Sequence, residues 1–174
     1  MTALPLQQVV DHPRLVPALI VAVSLGALAA ALASQVWGDL QPCVLCIYQR
    51  YAYLGAAAFG LLGLIAGPRT RARRAAVALA GLAFLTGAAI AAFHVGVEQL
   101  WWRGTAGCRA PAFDPDASIA ELRKQLLETR FVPCDEVPWS LFGISMAGYN
   151  VLASLGLALA SFRAARDTGR IPRP

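Results

Sequence analysis

Gly67-Pro68-Arg69-Thr70-Arg71-Ala72-Arg73-Arg74, followed without a break by AAVALAGLAFLTGAAIAAFHVGV over residues 75–97, decides how this chain folds. A helix needs about 20 mostly apolar residues to cross a bilayer. Between Ala75 and Val97 the one ionisable side chain is His94. The segment before it sets four arginines and no acid against the run, and such loops stay on the cytoplasmic side of a membrane.

Three more runs of the same kind flank this one. Leu15 to Trp37 carries no charge, Cys46 to Ala66 carries only Arg50, and Leu141 to Phe162 carries none. Small residues such as Gly26, Gly60, Gly81, Gly87 and Gly148 recur within them and suit close helix–helix approach in lipid. The chain of 174 residues is 57% hydrophobic and 14% charged, against about one quarter charged in a typical soluble domain. The expectation is an all-α fold: one integral membrane domain over residues 1–174, a four-helix bundle with spans at about 15–37, 46–66, 75–97 and 141–162.

Orientation follows from the charges. The tail adds Arg163, Arg166, Arg170 and Arg173 against Asp167, so both termini and the loop at about 67–74 face the cytoplasm. The connections at about 38–45 and 98–140 face outward. Trp37, Trp101, Trp102 and Trp139 all fall near that outer interface, where amphipathic rings prefer to sit. The net charge of +5 therefore marks topology rather than a nucleic-acid surface, since the basic residues sit in patches beside spans. Ala31-Leu32-Ala33 resembles a signal-peptidase site, but the apolar run is long for a signal peptide and its N-region weakly charged, so it reads as a retained span. In the long outer loop, Ser118-x-x-Glu121 reads as a capping box, with Ile119, Leu122 and Leu126 at helical spacing. That is a short amphipathic helix, lying on the membrane surface or packed on the bundle.

All four cysteines fall on the outer side. Cys43-Val44-Leu45-Cys46 is spaced for a reducible disulfide. Pro42 ends the extended segment before it, and a Cys46 thiolate at the first turn of the second span faces the positive end of the helix dipole. Arg50 lies one turn deeper on the same face. A charge at the hydrocarbon edge marks function by default, although snorkelling to the headgroups also accommodates it. Cys108 and Cys134 lie in the outer loop, either as a structural staple or as a second redox pair. His94 is either a packing histidine or, at the depth of Arg50, part of one interfacial pocket with it. Zinc is not expected, because CxxC supplies half a site and no second closely spaced pair completes it.

These elements resemble a known family. Gln41-Pro42-Cys43-Val44-Leu45-Cys46 with Gln49-Arg50, the stretches His94 to Gly104 and Cys134 to Ala147, and the two-cysteine outer loop look like the DsbB family of disulfide-bond formation proteins. The resemblance spans nearly the whole chain except the two tails. It implies a multi-pass enzyme of the bacterial inner membrane, with its cysteines on the periplasmic side. Such an enzyme reoxidises a periplasmic, thioredoxin-like DsbA-type protein and passes the electrons to ubiquinone or menaquinone. It further implies that the partner's thiolate attacks Cys108, that Cys134 exchanges with Cys43, and that Cys46 engages the quinone. Arg50 would then lie at a ring carbonyl, with His94 and Met146 at the quinone pocket. Two other readings remain: a tetraspan scaffold with structural disulfides, and a quinone reductase resembling the vitamin K epoxide reductase family. In that second family CxxC lies late in the chain rather than early.

Overall fold

The computed structural model describes residues 14–68, 70–108, 118–120, 123 and 132–167. Four long helices carry it: α1 (Leu15–Trp37), α2 (Val44–Ile65), α3 (Arg71–Glu98) and α4 (Met146–Asp167). A 3-10 turn, Ala106–Cys108, and two short strands, β1 (Ser140–Leu141) and β2 (Ile144–Ser145), lie between α3 and α4. Each helix packs antiparallel on its sequence neighbour, α4 on α3 most extensively, in an up-and-down bundle.

The helix ends follow from local chemistry. Cys43 is extended at the N-cap of α2, its sulfur accepting the Cys46 N–H, and Gly67-Pro68 follows the other end. Thr70 caps α3 by accepting the Arg73 N–H, which carries the helix back through Arg71, Arg73 and Arg74. Arg73 is buried and donates to the carbonyls of Gly63 (3.0 Å) and Ala66 (2.6 Å) at the end of α2. Arg74 donates to the Ala165 carbonyl near the end of α4 at 3.2 Å. Guanidinium groups at two helix C-termini satisfy carbonyls that have no partner within their helix. These arginines are therefore caps as well as topology signals.

Alanines fill much of the interior around a few large side chains such as Ile20, Tyr53, Val77 and Phe84, while many leucines face outward. Ala56, Ala57, Ala76, Ala80, Ala88, Ala91 and Ala158 are buried, whereas Leu19, Leu32, Leu54, Leu62, Leu82, Leu152 and Leu159 are exposed. A Cβ on Gly60 would stand 2.8 Å from Val21 Cγ2 and 3.2 Å from the Pro17 carbonyl, so α1 and α2 meet through that glycine. Such an arrangement suits lipid, where leucine gains nothing by turning inward and close backbone packing holds helices together. By length and composition, α1 and α3 are each apolar enough to cross a membrane, with mean hydropathies of 2.5 and 2.1. The polar side chains of α2 and α4 face each other instead: Tyr53 Oη donates to Asn150 Oδ1 at 2.8 Å.

Two helix starts depart from the sequence expectation, α3 at Arg71 rather than about Ala75 and the last helix at Met146 rather than about Leu141. The helix after the outer loop begins at Met146, and the apolar residues before it form a hairpin pairing Ser140 with Ser145 and Leu141 with Ile144. Phe142 (φ 50°) and Gly143 (φ 77°) make its two-residue turn. Two successive positive φ angles match the twist of paired strands, and Tyr149 Oη locks the hairpin to α4 by donating to the Leu141 carbonyl at 3.0 Å. Apolar content reveals the run, but the Phe-Gly turn decides its shape. Most of the amphipathic helix expected after Ser118 lies outside the described residues.

Candidate functional site

At the end of the bundle where α1 and α3 finish and α2 and α4 start, all four cysteines gather. Cys108 and Cys134 form a disulfide, while Cys43 and Cys46 are free thiols. Cys43, Leu45, Val97, Cys108 and Cys134 share one buried apolar cluster, with Val44, Cys46, Phe93 and Val132 packed on it. The loop disulfide thus rests against the first turn of α2. Gly104 makes room for it, since a Cβ there would stand 2.7 Å from Cys108 Cβ.

The two thiol sulfurs lie 3.0 Å apart, and the Cys43 sulfur also accepts the Cys46 backbone N–H at 3.3 Å. The sulfur at the helix N-terminus is therefore that of Cys43, not of Cys46 as expected from position alone. A hydrogen bond from the Cys46 side chain, and after it one from His94, hold the Cys43 thiol well below the usual thiol range although burial opposes them. Cys46 is half-buried beside it.

His94 reaches across from α3. Its Nε2 lies 3.5 Å from Cys43 Sγ and 3.2 Å from the Cys134 carbonyl oxygen, and Glu98 Oε1 stands 3.9 Å from the same nitrogen. The Glu98 side chain is itself buried and accepts from Ser145 Oγ at 2.5 Å. His94 Nδ1 lies 3.1 Å from Gln49 Nε2, and Gln49 Oε1 accepts from Asn150 Nδ2 at 2.5 Å. Residues 49, 94, 98 and 150 thus tie α2, α3 and α4 together behind Cys43.

Arg50 does not join this group. It donates to Gln35 Oε1 at 2.9 Å and to the Ala31 carbonyl at 3.2 Å, both on α1. Adjacent helical residues point about 100° apart, at 3.6 residues per turn, so Gln49 turns to His94 while Arg50 turns the other way. His94 and Arg50 therefore meet α2 from different neighbours, with Cys46 between them: its Sγ lies within 4.8 Å of His94 Nε2, and Arg50 is tied to α1 one turn below it. Arg50 remains one turn below Cys46, and its five N–H donors exceed the two bonds it makes to α1. Met146 opens α4 and is 41% exposed.

Gln49, Asn150 and Glu98 were not singled out from the sequence as site residues. The signal was available in the polar spacing Gln49 to Tyr53 and Asn150 to Ser154, each one helical turn, inside otherwise apolar helices. Polar groups in such helices need partners across the bundle.

A dithiol at a helix N-terminus, packed on a disulfide within a bundle whose outer faces are apolar, is the makeup of a disulfide-forming oxidoreductase of membranes. The comparisons agree. The family model for "Disulfide bond formation protein DsbB" matches residues 13–164. A disulfide bond formation protein B of Xanthomonas euvesicatoria pv. vesicatoria (strain 85-10) is 34% identical over 150 residues, covering 82% of this chain and 87% of that protein. One of Methylobacillus flagellatus is 31% identical over 138 residues, covering 78% and 82%. The chain belongs to the DsbB family.

Proposed function

We propose that this protein reoxidises a periplasmic, thioredoxin-like protein of DsbA type and passes the electrons to a membrane quinone, ubiquinone or menaquinone. It sits in the bacterial inner membrane with both termini cytoplasmic and its cysteines periplasmic. The observation that carries this reading is the contact of the two cysteine pairs through one side chain, His94 Nε2 lying 3.5 Å from Cys43 Sγ and 3.2 Å from the Cys134 carbonyl.

Each exchange conserves disulfides. A partner thiolate attacks Cys108 Sγ, breaking the Cys108–Cys134 bond and releasing the Cys134 thiolate. Cys134 attacks Cys43 of an oxidised Cys43–Cys46 pair, and Cys46 leaves as a thiolate. The partner's second thiolate then attacks its own mixed disulfide, leaving the partner oxidised and freeing Cys108. Cys108 attacks Cys134, re-forming the loop disulfide and releasing Cys43. The net result is an oxidised partner and a Cys43/Cys46 dithiol.

That dithiol needs a two-electron, two-proton acceptor, which a quinone supplies when bound. The side chains around Cys46 suit one. Cys46 is only half-buried, and the Arg50 N–H donors that have no acceptor among the described residues suit a ring carbonyl oxygen. Met146 would border the pocket from α4.

The test is anaerobic reduction of added quinone by a reduced thioredoxin-like partner, with and without the purified protein. Quinol formation that requires the protein supports the reading. Thiol oxidation with no quinol formed would remove the quinone from it.

A further inference from the structure

Cys43 Sγ, Cys46 Sγ and His94 Nε2 lie within 4.8 Å of one another, a ligand set that zinc accepts. A metal-bound histidine almost always donates its other ring N–H to an acceptor. His94 meets the opposite. Leu45 O, which only accepts, lies 3.2 Å from Gln49 Nε2 and so identifies that atom as the amide nitrogen. Asn150 Nδ2, facing Gln49 Oε1 at 2.5 Å, agrees. The second hydrogen of Gln49 Nε2 then points at His94 Nδ1, 3.1 Å away, which must present a lone pair. From the other side the Cys134 carbonyl, 3.2 Å from Nε2, also only accepts, so Nε2 carries the hydrogen. Both ends of the ring give one tautomer, with no lone pair on Nε2 for a metal.

We infer that Gln49 is a positioning residue that holds His94 neutral with its proton on Nε2, making the imidazole a hydrogen-bond donor to Cys43 rather than a base. Glu98 Oε1, 3.9 Å from Nε2, and a Cys43 thiolate both favour an imidazolium. At 3.9 Å, however, the carboxylate is beyond direct hydrogen-bond reach, and an imidazolium would set Nδ1–H against the Gln49 N–H at 3.1 Å. A base would need the lone pair on Nε2. What remains is donation to the Cys43 sulfur, 3.5 Å away, as it becomes a thiolate. The Cys134 carbonyl favours the same tautomer, but its residue changes disulfide partner in each cycle. Gln49 and Leu45 sit one turn apart on a single helix and stay in place.

The role in turnover rests on the proposed exchange through Cys43; the tautomer does not. The sequence has two histidines, so His12→Gln leaves His94 as the single signal in an imidazole-¹⁵N-labelled, reduced sample. The expected pattern is protonated Nε2 and bare Nδ1. In Gln49→Glu, nearly isosteric, the carboxylate accepts from Nδ1 and the proton pattern changes. Release of Cys43 from its disulfide with Cys134, followed by rapid quench and mass mapping, then slows about tenfold or more, the size of one hydrogen bond to a charged group. A wild-type spectrum with Nδ1 protonated overturns the inference without any variant. So does a tautomer unchanged in Gln49→Glu, or a changed tautomer with unchanged exchange. Absence of quinone reduction with the expected tautomer present would count against the proposed function alone.

Discussion

Replacing Cys46 by alanine should move the titration of Cys43 upward. In the reduced protein the Cys46 side chain, 3.0 Å away, is the largest influence holding the Cys43 thiol low, with His94 next and burial opposing both. A hydrogen bond to a charged acceptor is worth about 1.5–3 kcal/mol, and about 1.4 kcal/mol corresponds to one pH unit of titration. Cys46→Ala therefore shifts the Cys43 midpoint up by about one to two units. The sign follows from the charged form. The thiolate is the species stabilised, so wild-type Cys43 stays ionised as the pH falls below the usual thiol range. The variant loses its thiolate at a higher pH. The assay is thiolate absorbance against pH with the Cys108–Cys134 disulfide intact, checked by mass mapping of the alkylated cysteine. Wild-type Cys43 titrating in the ordinary thiol range, or an unmoved midpoint in Cys46→Ala, would refute the reasoning.

Other expectations follow from the same geometry. Cys43→Ala and Cys46→Ala should each abolish partner oxidation at steady state, measured by loss of free thiol; full activity in either would end the relay. Arg50→Ala should raise KM for quinone about tenfold or more, the scale of one charge-assisted hydrogen bond, with KM for the thiol partner little changed. The reverse pattern would assign Arg50 to the thiols. Gly96→Ala should destabilise the protein by about 1–3 kcal/mol, the usual cost of overpacking, because a Cβ there would overlap the Trp102 ring. Trp102 is held by its Nε1 donating to the Phe93 carbonyl at 3.0 Å and by stacking on the Phe93 ring. Lower thermal stability with altered tryptophan fluorescence is the expected readout, and an unchanged melting curve would contradict it.

The helices were legible in the sequence because lipid imposes a length and a polarity that composition reports directly. Cysteine spacing and the arginine patches similarly placed both thiol pairs at one end of the bundle. What composition does not encode is azimuth. Arg50 and His94 lie at similar depth, but whether they meet depends on the rotation of α2, which packing against α1 and α3 sets. Depth alone also did not tell which of Cys43 and Cys46 caps the helix. That depends on where the first helical turn closes, and Pro42 precedes a Cys43 held extended, so the earlier sulfur takes the N–H. The hairpin at Ser140–Ser145 was hidden because its residues are as apolar as a span. Its Phe142-Gly143 turn was the local cue. Gln49 and Asn150 became legible as a pair only across the bundle.

The central claim is that electrons cross from the loop pair to the helix pair through Cys134 and Cys43. Single-turnover mixing of reduced partner with the fully oxidised protein, acid quench and mass mapping of disulfides tests it most directly. The account predicts a partner–Cys108 linkage together with a Cys43–Cys134 linkage, both decaying as Cys43 and Cys46 become free thiols. A partner joined to Cys43, or complete electron transfer with no Cys43–Cys134 bond at any time, would contradict it.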